Sequence, residues 1–307
     1  MRGRVFHTPL RRSDWLSAAT GGEVFLKIET LQPTFSYKVR GAMNAVLKLA
    51  EEGAEVAALV TASAGNHGRA LAYAAAMTGM RVTVFVPEDA PQTKVEAIRR
   101  AGASLRACRD YDEAERLAKA HAAAGDPLFI SPYSHPDVIA GAGTVGLEIL
   151  EADPAIEMII VPVGGGGLIS GIGLASTGIN QGATQVIGVE VEASSPFTRS
   201  LAAEGIVTID VKPTLADGLA GNLDPETITF DLVRRLVSRI VLIDEEALHR
   251  AVRDLAFEEK LVVEGAGAAA VAAVASGRID VRQKRVAVVV SGGNIDADKL
   301  TSILCRG

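Results

Sequence analysis

Short apolar runs alternate with segments of helical periodicity along the whole chain, and that alternation limits its fold more than any other feature. "EVFLKIE", "AALVTAS", "RVTVFVPE", "PLFISP", "EMIIVPV", "QVIGVEV", "SRIVLID" and "RVAVVVSGG" are strand-length and rich in branched aliphatics. Between them lie stretches such as "DEAERLAKAHAAA" and "DEEALHRAVRDLAFEE", with the Ala/Leu/Glu/Arg spacing of helices. Parallel strands need a crossover, usually a helix, so strand–helix–strand alternation implies parallel βαβ units. Strands covered by helices on both faces are apolar throughout, as these runs are. The expected fold class is α/β, with open, mainly parallel twisted sheets flanked by helices. The alanine-rich run from Gly265 to Ser276 reads as a buried helix of small side chains rather than a linker.

Composition narrows the class of protein. At 307 residues, 48% of them hydrophobic, the chain can bury one large or two medium cores. A net charge of −6 with no basic tract argues against a nucleic-acid partner. Cys108 and Cys305 have neither metal-ligand nor disulfide-framework spacing, which fits a reducing compartment. "MRGRVFHTPL" lacks the apolar core of a signal peptide, and runs such as "MIIVPV" are too short to span a bilayer. A cytoplasmic protein with no membrane partner is expected.

Four loops follow strand ends, where open α/β sheets hold ligands. "LQPTFSYKVRGAMNAVL" carries Lys38 at the start of a helix whose Ala42, Ala45, Val46 and Ala50 share a face. "TASAGNHG" runs from Thr61 to Gly68, "GGGG" from Gly164 to Gly167, and "SGGN" from Ser291 to Asn294. Turn chemistry alone explains Gly, Ser and Asn in any one of them, and a lone lysine is ordinarily a surface residue whose stem covers apolar area. Four such loops, one carrying a lysine, exceed what turns require.

Four glycines before a helix near Leu168 expose backbone N–H groups to a phosphate, aided by the positive helix end. A dinucleotide is one candidate ligand. Gly165 and Gly167 supply G-x-G, and Glu190 follows a helix and strand later at the place of a ribose-binding acid. The third glycine position is Ser170, however, and this nicotinamide-dependent oxidoreductase reading leaves Lys38 without a role. Ser63, Gly65 and Asn66 can hold a carboxylate or phenolic oxygen. His67 could act as a base, or simply cap or pack at the helix start. Ser291, at the end of a buried strand, can hydrogen-bond a ring nitrogen without charging it. A phosphate cradle, an amine, an amide and a terminal hydroxyl together describe a site for pyridoxal 5′-phosphate, whose aldehyde needs a lysine for its Schiff base.

The motifs "SYKVRGA", "TASAGNHG", "PVGGGGLISG", "VIGVEVE", "TLADGLA" and "VVVSGGN" run in order over nearly the whole chain. They resemble the fold-type II pyridoxal-phosphate enzymes, specifically the threonine/serine dehydratase and serine racemase branch. The resemblance implies a tryptophan synthase beta-like fold of two open α/β domains with the cofactor between them. The larger would comprise about residues 1–39 and 135–307, with 40–134 inserted as the smaller. It further implies that Lys38 links to the cofactor with Tyr37 packing beside it, and that Asn66 meets the phenolic oxygen. Gly164, Gly165, Gly166, Gly167 and Leu168 would hold the phosphate, and Ser291 would face the pyridine nitrogen. Ser63, Ala64, Gly65 and His67 would form the loop that receives the substrate carboxylate.

The implied reaction is loss of the β-hydroxyl from an L-amino acid such as threonine or serine, giving a 2-oxo acid and ammonia. Racemisation is the alternative within the branch. Serine racemases of the family carry a serine as second acid/base in "S-S-G-N-H-G", where this chain has Ala64. A homodimer is expected. Ser195 and Pro196 stand where several relatives place a metal-binding acid, so no metal is expected and Glu190 reads as a strand-end carboxylate. The chain stops shortly after "SGGN", so the regulatory C-terminal domain of biosynthetic threonine dehydratases is not expected.

Overall fold

The computed structural model describes residues 3–53, 56 and 58–305. Met1 and Arg2 of "MRGRVFHTPL", and Ala57 of the "AALVTAS" run, lie outside them. In chain order the elements begin β1 (Leu10–Arg12), α1 (Asp14–Thr20), β2 (Glu23–Ile28), α2 (Lys38–Glu51), β3 (Ala58–Ala62), α3 (Asn66–Thr78), β4 (Arg81–Pro87) and α4 (Gln92–Arg100). Then come β5 (Ser104–Cys108), α5 (Tyr111–Ala123), β6 (Leu128–Phe129), α6 (Pro136–Ala152), β7 (Met158–Pro162), α7 (Gly167–Asn180), β8 (Gln185–Val191) and α8 (Pro196–Ala202). The last are α9 (Thr229–Leu236), β9 (Arg239–Ile243), α10 (Glu245–Phe257), α11 (Gly265–Ala275), β10 (Arg285–Val290) and α12 (Ala297–Leu304).

The chain divides into two compact units. Unit 1 holds Met1–Phe6, Gln32–Thr34 and Lys38–Ala142; unit 2 holds His7–Leu31, Phe35–Tyr37 and Gly143–Gly307. Unit 1 is built on a four-stranded parallel sheet in the order β5-β4-β3-β6. Leu59, Val84, Leu71 and Ile98 form its core with Val39, Met43 and Val46 of α2. The expected face of that helix is buried at Ala42, Ala45 and Val46, but Ala50 is exposed, because the final turn stands out in solvent before the bend at Gly53. In α5, Asp110 accepts the Glu113 N–H at 2.8 Å, so the first residue of "DYDEAE" caps the helix.

Unit 2 carries a six-stranded sheet in the order β1-β2-β10-β7-β8-β9. Every pairing is parallel except β1 with β2. The central β10 is the last strand in sequence, and Val286, Val288, Val289 and Val290 are fully buried in it. Each such side chain contributes about 1.5–3 kcal/mol relative to exposure. Gly265 through Val274 of α11 are all buried, as the alanine-rich run predicts. Small residues are required there. A Cβ at Gly265 would come 2.4 Å from Leu215 O, and one at Gly267 would come 2.2 Å from Gly292 O. No helix among the described residues is long and apolar enough to cross a membrane.

Candidate active site

In unit 2, the adjacent parallel strands β2, β10 and β7 all end on one side of the sheet. The segment after β2 turns back onto the segment after β10. Ser36 bridges Gly292, Tyr37 N donates to Ser291 O at 3.0 Å, and Gly293 N donates to Phe35 O at 2.9 Å. Ser291, buried at the end of β10, is therefore fastened to the residue that precedes Lys38 in the chain. Burial, and then the charge of Glu264, push the Tyr37 phenol above its ordinary pKa, so it is a neutral donor.

Gly164–Gly166 form the bend after β7, and α7 begins at Gly167. Gly166 caps the helix at φ +83, a left-handed conformation with no side chain to satisfy the first-turn N–H groups. The bend is braced from behind. Thr229 Oγ1 donates to Gly165 O at 2.8 Å, and a Cβ at Gly166 would come 2.5 Å from Phe197 Cζ. Those uncapped N–H groups at the positive end of a 14-residue helix suit a phosphate.

The neighbouring Glu190 is already engaged. Its carboxylate accepts Phe197 N at 2.8 Å, Thr198 N at 2.9 Å and Thr198 Oγ1 at 2.6 Å. Burial raises its pKa, and those three donors oppose the rise. With both oxygens committed to the start of α8, it is not placed as a ribose-binding acid.

In unit 1, Lys38 is the first residue of α2, and its Nζ donates to Pro132 O at 2.7 Å. Lys38 is partly buried, and desolvation lowers its pKa from 10.5 to about 8. The "SAGN" turn follows β3, with Gly65 as the N-cap of α3 and Asn66 as its first residue. Ser63 Oγ accepts the Gly65 N–H at 3.3 Å, which commits it to its own loop. Ala64, Gly65 and Asn66 are half-buried. His67 is buried, its Nε2 lies 3.3 Å from Ile130 O, and its pKa is lowered to about 3. Burial is the main cause, with the Lys38 charge second, the Ile130 bond opposing and the His135 charge adding. So low a pKa makes His67 a neutral group and a poor base. The Gly68 position permits nothing larger, since a Cβ would come 2.3 Å from Ser63 O.

The structure thus gathers Tyr37, Gly164–Leu168 and Ser291 within unit 2, and Lys38 with the Ser63–His67 loop within unit 1. Within unit 2, a neutral phenol, a buried hydroxyl and a glycine-lined anion cradle suit the phosphate and ring of pyridoxal 5′-phosphate, and within unit 1 the depressed Lys38 amine suits its aldehyde. Three contributors have no counterpart in the sequence reading: Pro132, Glu264 and the Thr229–Phe197 brace. The proline-spaced "SPYSHP" after β6 was the available signal for the first; nothing local marked the others.

Comparison with known proteins points to the same cofactor. The family described as "Pyridoxal-phosphate dependent enzyme" matches residues 1–292. The L-threonine ammonia-lyase of Thermotoga maritima is 42% identical over 100% of this chain and 76% of its own length. The processed threonine deaminase isoform 2 of Solanum lycopersicum superposes with a TM-score of 0.91 at 32% identity, covering 99% of this chain and 89% of that one. Maize serine racemase superposes with a TM-score of 0.90 at 33% identity, covering 97% and 91%.

Proposed function

The chain belongs to the pyridoxal-phosphate dependent enzymes, and from that premise we propose that it is an ammonia-lyase acting on L-threonine, with L-serine as a second substrate. It is a lyase that removes the β-hydroxyl of an L-hydroxy amino acid to give a 2-oxo acid and ammonia. The observation that carries the assignment is an amine, Lys38, held at a pKa of about 8 beside a loop whose Ala64 has no proton to give.

Pyridoxal phosphate, when bound, would supply the electron sink that makes the substrate Cα–H acidic. The residues divide the remaining work. Gly164–Leu168 bind the anionic group through backbone N–H. Ser291 would offer an uncharged partner to the ring nitrogen, which would limit the electron sink and favour prompt elimination. Asn66 would donate to the phenolic oxygen, and the loop of Ser63, Ala64, Gly65 and His67 would receive the substrate carboxylate. Lys38 Nζ takes the proton from Cα. The β-hydroxyl departs as water, and hydrolysis of the C–N bond then yields the oxo acid and ammonia, so one water leaves and one is consumed. A cytoplasmic homodimer with a small amino acid as its only obligatory partner completes the proposal.

Because Lys38 titrates near 8, about a tenth of it is free amine at pH 7. The rate at which cofactor-stripped protein captures pyridoxal phosphate should rise about tenfold per pH unit and level off near 8. A profile still climbing at pH 10 would mean that Lys38 is an ordinary solvated lysine.

Racemisation is the second reading, favoured by the likeness to maize serine racemase. It requires acid/base groups on both faces of a planar carbanion. Ala64 provides none, Ser63 Oγ is turned into its own loop, and His67 is neutral with a pKa near 3. Chiral chromatography of an L-serine reaction should therefore find pyruvate and little D-serine, and Ala64→Ser should increase the D-isomer. D-serine outpacing pyruvate in the unaltered protein would overturn the lyase assignment. Screening L-threonine, L-serine and bulkier β-hydroxy amino acids for 2-oxo acid release tests the preference for threonine.

A further inference from the structure

Three donors converge on the short connection after β6. Ile130 N donates to Val60 O at 2.9 Å, which fastens the connection to the end of the sheet. Ile130 O accepts Thr61 Oγ1 at 2.8 Å and faces His67 Nε2 at 3.3 Å. A carbonyl oxygen can only accept, so Nε2 carries the proton and Nδ1 is a bare lone pair. Nδ1 is buried and has no hydrogen-bond partner among the described residues. Two residues further on, Pro132 O accepts Lys38 Nζ at 2.7 Å. A turn braces the connection between these points, with Ser134 N donating to Ser131 Oγ at 3.0 Å.

A buried imidazole left half-satisfied is costly, and ordinary packing at the start of α3 would be better served by an apolar side chain. What the ring does supply is one N–H aimed at the carbonyl two residues before the lysine's acceptor. A lysine that alternates between a covalent link and a proton-carrying role needs a defined resting place when released. Pro132 O is such a place, since it can hold an ammonium but cannot give a proton back.

We propose that His67 is a positioning residue that acts through Ile130: its Nε2–H, with the Thr61 hydroxyl, clamps the Ile130–Pro132 segment so that Pro132 O forms the resting site of the Lys38 amine. The wiring rests on the assignment of Lys38 as the cofactor lysine and goes beyond it by tying that lysine to a backbone acceptor and an imidazole that takes no part in proton transfer. The ionisable groups whose fields reach the ring are Lys38 on α2 and His135 before α6, and the ring remains neutral beside both.

The test measures recapture of pyridoxal phosphate by the full-length protein after the cofactor has been stripped, read by absorbance against pH, with circular dichroism to confirm folding. His67→Leu should reduce the plateau rate at least about tenfold by misplacing the amine. It should also lower the pH at which the rate levels off by about one unit, because the ammonium loses its held acceptor. His67→Gln, which keeps an N–H near the Nε2 position, should restore both to within about threefold. Thr61→Val, which removes only the other donor to Ile130 O, should move both in the same direction by less. If His67→Leu does not fold, Thr61→Val and His67→Gln decide. An unchanged plateau and midpoint in His67→Leu, or in Thr61→Val where that variant decides, overturns the wiring. So does a Gln variant as impaired as Leu, which would mean that ring bulk alone matters. Failure of the unaltered protein to capture cofactor on Lys38 would instead overturn the lysine assignment itself.

Discussion

Lys38→Ala should lower kcat/KM for L-threonine at least about a thousandfold, while the thermal midpoint stays within a few degrees of the unaltered protein. A positioned general base alone is worth roughly 10²–10⁴ in rate, and the covalent cofactor link is lost with it. The fold should tolerate the change because Lys38 begins its helix rather than sitting within it, and alanine is the strongest helix former. Lys38→Arg should be equally inactive although it preserves the charge, since a guanidinium does not deprotonate in a protein. Ammonia release by coupled assay, together with mass spectrometry of borohydride-reduced protein, reads both consequences. An alanine variant retaining a tenth of the activity would show that another group carries the proton.

The second large effect is expected at a helix that packs against the Ser291–Gly293 loop. Glycine in the middle of a helix normally costs about 1 kcal/mol relative to alanine, so Gly267→Ala in α11 would stabilise an isolated helix. In this protein the sign should reverse. The new Cβ would meet Gly292 O at 2.2 Å and Gly292 N at 2.9 Å, both backbone atoms with no rotamer to adopt. Relief requires the Ser291–Gly293 loop to move off α11, against the Ser36 bridge and the Tyr37 hydrogen bond that hold it. Overpacking of this kind costs about 1–3 kcal/mol or more, or several degrees of melting temperature for a unit of this size. Displacement of Ser291 should weaken cofactor retention as well. Denaturant titration beside cofactor absorbance checks both, and a stabilised variant with full cofactor would show that the helix can shift without disturbing the loop.

The parallel architecture was legible because each buried strand is an uninterrupted aliphatic run and each connection has helical periodicity. β5 escaped notice because its "SLRAC" lies at a sheet edge, where three of its five residues are exposed or polar and no apolar run results. β1 escaped for a similar reason. Its "LRR" pairs antiparallel to β2 at the edge of the unit 2 sheet, an arrangement that strand–helix alternation does not foretell. Among the proposed site residues, the glycine loop and Ser291 could be singled out because each sits just after a recognisable strand, and Lys38 because it opens the helix that follows one. Pro132 could not, because its contribution is a backbone carbonyl, and every residue type has one. Glu190 shows the converse. Its position in sequence suited a ligand-binding acid, but only coordinates reveal the three donors of α8 that occupy it.

In the middle of the unit 2 sheet lies β10, the last of its described strands in chain order. β2 and β7 flank β10, so after both have left the ribosome they have no partner in that gap until residues 285–290 emerge. The residues between them include nearly all of unit 1, whose own four strands are complete by residue 129. Birth order therefore favours a nascent chain in which unit 1 can fold while unit 2 still waits, with two aliphatic strand edges open to wrong pairing. The same event that closes the gap brings Ser291 beside Tyr37. A unit 2 made only as far as β9 would have neither its central strand nor the Ser291 hydroxyl that β10 carries to its end.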